Sequence, residues 1–157
     1  MERMAARIRP ASSGDLPVLV QLLGELFSIE ADFTPDADAQ RRGLALMLAD
    51  TRHRMVLVAE NEGAVRGMVT GQLVVSTAEG GLSVLVEDMV VDAAARGRGV
   101  GRTLLRAMES WATKRGATRL QLLADRENVP AIAFYGREGW SATQLVCLRR
   151  HPVDPGA

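Results

Sequence analysis

The sequence predicts one α/β domain over residues 1–157, built on a mixed, mostly antiparallel sheet with flanking helices. Three observations predict it: β-branched runs joined by tight turns in the middle of the chain, amphipathic helical stripes around them, and a strand–helix–strand unit in the second half. With 47% hydrophobic residues in 157, the chain can bury a full core, and no linker, repeat or low-complexity segment divides it.

Each element has its own local signal. "RIRPAS" reads as a short first strand ended by Pro10, after which Ser12 or Ser13 can cap a helix carrying Leu16, Val20, Leu23 and Phe27 on one stripe. An acidic connection, "SIEADFTPDADAQ", leads to a second helix with Leu44, Met47 and Leu48. "RMVLVAE" and "AVRGMVTGQLVVST" form a hairpin turning at Glu62 and Gly63, and "AEGG" turns the chain into the long strand "LSVLVEDMVVD". The next helix buries Val100, Leu104, Leu105, Met108, Trp111 and Ala112 and stops at Lys114, Arg115 and Gly116. "RLQLLAD" is a buried strand and "ENVPAIAFYGREG" a short helix with Pro130 in its first turn and Gly139 just past its end; "ATQLVCLRR" reads as a last strand. Strand, helix, strand across 82–124 makes those two strands parallel, whereas the hairpins are antiparallel, so the sheet is mixed.

Composition narrows the function classes. Lys plus Arg and Asp plus Glu number 19 each and aromatics are 4%, so neither a global basic field nor a stacking surface for nucleic acid is expected. A lone Cys147 and two distant histidines, His53 and His151, predict no metal site. The N-terminus lacks an apolar targeting core and no apolar run reaches the ~20 residues of a membrane span, so a soluble, cytoplasmic protein is expected, without membrane partners.

The stretch "ARGRGVGRTLLRAMESWA" sets Gly97, Gly99 and Gly101 at alternate positions against a helix, among Arg96, Arg98, Arg102 and Arg106. Each glycine costs roughly 0.5–1 kcal/mol of backbone entropy relative to alanine, so three together imply a use beyond a turn. Arg102 stands where the dinucleotide fingerprint needs its third glycine, and Walker A fails at the same residue. What remains is a side-chain-free loop at a helix N-terminus, whose unpaired N–H groups suit an anion such as a pyrophosphate. The competing reading is a loop that lets helix and strand pack closely.

"RGRGVG", lying between the strand "VEDMVVD" and an amphipathic helix, resembles the phosphate loop of the GCN5-related N-acetyltransferases, and "LQLLADRENVPAIAFYGREGW" is similar to that family's next strand and helix. The resemblance is specific over residues 82–140 and elsewhere rests on element order. It implies a splayed pair of parallel strands and acetyl-CoA as co-substrate. The loop Arg96, Gly97, Arg98, Gly99, Val100, Gly101 and Arg102 would hold the pyrophosphate, and the backbone of Met89, Val90 and Val91 would pair with the pantetheine arm as an added strand. It also makes a homodimer a common arrangement. The splay needs a bulge that the sequence does not locate, which leaves the facing of Glu87 and Asp88 open.

The implied reaction fixes what the site must contain. An alkylammonium of pKa near 10.4 has to lose a proton before nitrogen attacks a thioester. Glu87, an acid in an apolar strand, is the leading candidate for the base, directly or through water, with Asp88 as its competitor. The leaving thiolate needs a proton donor, and Tyr135, the one tyrosine in the chain, matches the family's common acid; packing beside Phe134 is its alternative role. Asn128 either caps the following helix or binds the cofactor's amides. A backbone N–H near Met89 or Val90 would stabilise the oxyanion. Glu25, Glu30, Asp32, Asp36 and Asp38 gather around the acidic connection and would attract a cationic acceptor, such as a polyamine, unless they are merely solvated. The sequence thus points to acetyl transfer onto a primary amine of a small molecule. The alternatives are a protein or peptide acceptor, disfavoured by the bulky Phe33 and Pro35, and a non-catalytic CoA-binding module.

Overall fold

Five strands pair in the order in which they occur along the chain. The computed structural model describes residues 5–30, 32, 34–154 and 156. The elements are β1 (Arg7–Pro10), α1 (Leu16–Ile29), α2 (Ala37–Ala49), β2 (Arg54–Asn61), β3 (Ala64–Ser76), β4 (Gly81–Val91), α3 (Val100–Lys114), β5 (Ala117–Leu122) and α4 (Val129–Arg137), with 3-10 turns before α1 and α3. β1 to β4 are mutually antiparallel, and β5 lies parallel to β4, as the strand–helix–strand unit predicts.

Alternation along the β-branched runs divides the core in two. Leu57, Ala59, Val69, Val84 and Val86 pack against Val100, Leu104 and Met108 of α3. Val56, Val58, Met68 and Val90 pack against Leu19, Val20, Leu22 and Leu23 of α1 and Leu44 of α2. A sheet covered on both faces explains why these strands read as nearly continuous apolar runs. The β2–β3 turn has positive φ at both Glu62 (51°) and Gly63 (76°), the primed geometry that matches strand twist.

Arg9 ties the first strand to its neighbours: its guanidinium donates to Glu60 Oε2 at 2.7 Å and to both oxygens of Asp15, at 2.8 and 3.0 Å. The Arg9 hydrogen bonds hold the Asp15 carboxyl down to about 2, while Asp15 also accepts the Ser12 backbone N–H and so caps the entry to α1.

Two departures matter for the site. Val69 faces Met89 and Gly71 faces Val86, so Thr70 alone stands opposite both Glu87 and Asp88: a β-bulge in β4. Pairing between β4 and β5 ends at Val86–Leu122, and β4 runs on to Val91 bonded only to β3. The strands therefore splay. The expected last strand, by contrast, is not part of this sheet: 141–150 is exposed and carries no strand pairing, and β5 is left as the edge strand. Among the described residues no helix is long and apolar enough to cross a membrane.

Gly71 shows how tightly α3 sits on the sheet, since a Cβ there would stand 2.5 Å from Met108 Sδ and 3.1 Å from Val84 Cγ1. Gly71→Ala is expected to destabilise the fold by about 1–3 kcal/mol in urea titration. In a Met108→Ala background the same change should cost less, and equal costs in both backgrounds would show that this contact is not the cause.

Candidate active site

The glycine–arginine loop is built by two different constraints. Gly97 (φ 72°) and Gly99 (φ 82°) occupy left-handed backbone, the latter as the N-cap of α3. Gly101 is helical, but a Cβ there would meet Phe134 Cζ at 3.1 Å and Met89 Cε at 3.2 Å. The third glycine thus lets the first turn of α3 sit between β4 and α4. Close packing and anion capture are both served, because the first intrahelical bond is Thr103 N–H to Gly99 O and the N–H groups of Val100, Gly101 and Arg102 precede it. The loop is free of side chains at its bends, so these N–H groups lie open at the positive end of the helix.

The surrounding arginines differ in role. Arg96 Nε donates to Val91 O at 2.9 Å, fastening the loop to the end of β4. Arg102 is paired with Glu138 of the α4 C-terminus at 2.8 Å, so it braces α4 against α3. Arg98 is exposed with no ion-pair partner among the described residues, which leaves it able to meet a phosphate. Beside the loop, the edge of Met89, Val90 and Val91 that β5 does not reach is open for an added strand.

The bulge settles the facing of β4. Before it, Val84 and Val86 face α3; after it, Val90, also even-numbered, faces α1. The extra residue reverses the alternation, and Glu87 and Asp88 both border one cleft of about 450 Å³ between the sheet and α1 and α2. Leu23, Phe27, Leu44 and Met47 form apolar walls there, with Asp36, Arg54 and Gln72 among the polar ones.

The two acids are unlike. Glu87 is exposed and accepts from Gln72 Nε2 at 3.2 Å. Asp88 accepts from Thr70 Oγ1 at 2.9 Å, and its own N–H donates to the same hydroxyl at 3.0 Å. Burial pushes the Asp88 carboxyl up to about 6, against the Thr70 hydrogen bond and with a further lift from Glu87. Thr70 and Gln72 do not stand out in the sequence; polar residues at alternate positions of the apolar "MVTGQLVV" are the signal that could have found them.

Tyr135 stands on α4, its ring 5.3 Å from Phe134 and 6.0 Å from Trp140. Burial, and then the nearby charge of Glu30, push its phenol up to about 12, so it is protonated at neutral pH. Glu30, just past the end of α1, is itself raised by burial and by Asp88, Asp125 and Asp32, in that order. Asp88, Glu30 and Tyr135 therefore share one electrostatic neighbourhood. The other acids of the first half divide. Asp36 lines the cleft and caps α2 through Ala39 N–H at 3.0 Å, whereas Glu25 borders a separate hollow with Arg9, Arg66 and Asp92. Asp38 lies exposed on α2, and Phe33 is outside the described residues. Asn128 caps α4, its Oδ1 accepting from Ala131 N–H at 3.2 Å. No group of three or more His, Cys, Asp or Glu among the described residues is placed to hold a metal.

Comparison with known proteins identifies the family to which this fold belongs. The chain is 30% identical over 156 residues to the aminoglycoside N(6')-acetyltransferase type 1 of Stenotrophomonas maltophilia, covering 98% of this chain and 97% of that one. It is 36% identical over 75 residues to the streptothricin acetyltransferase of Streptomyces lavendulae, covering 48% of this chain and 40% of that protein. An aminoglycoside acetyltransferase from an uncultured soil metagenomic sample, solved in complex with sisomicin, shares the fold with a TM-score of 0.73 at 20% identity, over 95% of this chain and 97% of that one. The model of the acetyltransferase (GNAT) family matches residues 19–140. The chain belongs to that family and is an acetyl-CoA-dependent N-acetyltransferase.

Proposed function

We propose that the protein acetylates a primary amine of a small cationic molecule by direct attack, with Asp88 receiving the amine's proton and Tyr135 protonating the departing sulfur. The observation that carries this reading is the position of Asp88, a carboxyl pushed up to about 6 at the end of an apolar-walled cleft of about 450 Å³. Acetyl-CoA, when bound, supplies the activated thioester. The chain's own groups do the rest. Val100, Gly101 and Arg102 N–H, with Arg98, suit the pyrophosphate, and the open edge of Met89–Val91 suits the pantetheine amides.

Proton transfer favours Asp88 over Glu87. From an alkylammonium near pKa 10.4, transfer to a base at about 6 is uphill by about 4 units. An ordinary carboxylate near 3.8 would make it more than about 6, so burial of Asp88 recovers roughly two powers of ten. Glu87, exposed and held by Gln72, is better suited to drawing the ammonium in or passing a proton through water. Glu30 and Asp36 extend the same sign of charge around the cleft, which favours a cationic acceptor. The relative named for aminoglycoside acetylation makes that class the first acceptors to examine. Walls supplied by α1 and α2 favour a small molecule over a peptide.

Free-thiol release from acetyl-CoA is expected to become amine-dependent with at least one member of a panel of aminoglycosides and polyamines. Release with peptides alone would overturn the small-molecule reading. In the productive assay Tyr135→Phe should lower kcat by roughly 10²-fold. Asp88→Asn should do at least as much and remove the rise of kcat/KM centred near pH 6, the pKa of about 6 set by burial. A larger loss in Glu87→Gln than in Asp88→Asn would return the base to Glu87.

The same carboxyl makes a prediction on stability. Its folded pKa of about 6 lies above the ordinary 3.8, so between these values the folded protein binds the extra proton. The contribution to stability is therefore largest below pH 3.8 and is lost as pH rises to 6, above which a buried carboxylate strains the fold. Asp88→Asn should thus raise stability at pH 7 by on the order of 2 kcal/mol and leave it nearly unchanged at the acid end, in urea titrations at the two pH values. A variant less stable at pH 7 would show that Asp88 is structural.

A further inference from the structure

On the face of β3 that α1 and α2 cover, Thr70 follows Met68 and pairs with Val56 in an otherwise apolar row. It is 1% exposed and lies beneath the cleft, outside its lining. A hydroxyl buried there has to be satisfied, and it has one proton to give and lone pairs to accept with. The Asp88 N–H donates to Thr70 Oγ1 at 3.0 Å, and Oγ1 spends its one proton on Asp88 Oδ2 at 2.9 Å. The carboxylate is thereby gripped by one oxygen. Oδ1 has no hydrogen bond among the described residues and is not sealed from solvent, so it is the oxygen left open to the cleft that Asp88 lines. The charged and titratable groups around Asp88 are Glu87 beside it, Glu30 after α1, Asp36 before α2, Arg54 of β2 and, beyond Glu30, Asp125 and Tyr135 of α4. Among the described residues none of them bonds to its carboxyl, and Thr70 alone fixes how that group is turned.

We infer, on the reading of Asp88 as the base, that Thr70 is a positioning residue for the acetyl transfer: its hydroxyl holds Asp88 by Oδ2 and reserves Oδ1 as the oxygen that takes the proton of the acceptor amine. A proton arriving at Oδ2 would force the buried hydroxyl to turn its own proton away and leave it without an acceptor. A proton arriving at Oδ1 leaves both bonds standing. Oγ1 still accepts the Asp88 N–H and still donates to Oδ2, now the carbonyl oxygen of a neutral acid. The amine loses one proton, Oδ1 gains it, and the nitrogen lone pair so freed is the one that attacks; the Thr70 proton never transfers.

Two substitutions separate the hydroxyl from the packing. Thr70→Val keeps the shape and removes the hydroxyl, whereas Thr70→Ser keeps the hydroxyl and removes the methyl group. The Thr70 hydrogen bond holds the Asp88 carboxyl down against burial. In Thr70→Val its titration, followed by carboxyl carbon NMR without turnover, should therefore move up from about 6 by about one pH unit. The rise of kcat/KM should move with it, and kcat above the rise should fall roughly tenfold as the carboxyl loses its orientation. Thr70→Ser should return both to the parent values. Stability losses in either variant with the titration and the pH profile unmoved would make Thr70 merely structural and overturn the inference. Full turnover in Asp88→Asn would end the base reading and the role of Thr70 with it; an inactive Asp88→Asn beside an unmoved Thr70→Val would end the role of Thr70 alone. Should Thr70→Val not fold, the hydroxyl proton of Thr70 in the parent decides. Slow exchange with water on both sides of pH 6, the carboxyl's own midpoint, supports donation to Oδ2 in both charge states, and free exchange on either side overturns it.

Discussion

The opposition of one residue, Thr70, to two, Glu87 and Asp88, is the constraint on which the rest of the site depends. A regular β4 would keep even-numbered side chains on the α3 face, where Val84 and Val86 lie, and Asp88 would enter the apolar core around Leu104 and Met108. The bulge reverses the alternation. It carries Asp88 to the α1 face and bends β4 away from β5, which opens the edge of Met89–Val91. Thr70 stabilises the defect it faces, since its hydroxyl both donates to the Asp88 carboxylate and accepts the Asp88 N–H. One backbone irregularity thus places the proposed base and opens the edge proposed for the cofactor.

The site concentrates like charge that the fold does not need. Beyond the effect of burial, Asp88 and Asp125 raise the proton affinity of Glu30, and Glu87 raises that of Asp88. The carboxylates that serve stability, Asp15 and Asp92, are instead held low, by Arg9 and by hydrogen bonds from Ala94 N–H and Arg66 respectively. The arginines are distributed accordingly. Arg9 and Arg66 sit beside the hollow that Glu25 borders, and the cleft retains Arg54, bonded to Leu46 O at 3.0 Å. The acidic cleft proposed for a cationic acceptor and the stabilising ion pairs are kept apart in one small domain.

Much of this was legible in the residues. The β-branched runs, the Glu62–Gly63 turn, the α3 stripe and the parallel relation of β4 and β5 arise from periodicity and turn chemistry, and each is a local signal. Gly97 and Gly99 were legible as turn residues. Gly101 was legible only as part of the loop motif, because its packing reason, Phe134 and Met89, lies 33 residues ahead and 12 behind in the chain. The choice between Glu87 and Asp88 was not legible: a bulge leaves no mark in "VLVEDMVV", and two adjacent acids exchange roles when it moves by one position. Composition marks "ATQLVCLRR" as strand-like without placing it, since periodicity says that a segment wants an edge and is silent on whose edge it finds.

The least packed third of the chain is also the part that holds the proposed proton donor in line. Tyr135 is oriented by rings on either side, Phe134 and Trp140, and Phe134 in turn presses on Gly101 at the mouth of the glycine loop. Arg102 and Glu138 add a second link between α3 and α4. Anything that fixes α4 therefore fixes the phenol and the loop together, and anything that frees α4 loosens both. α4 is half-buried, and the contacts that fix it run through Phe134 at Gly101 and the Arg102–Glu138 pair.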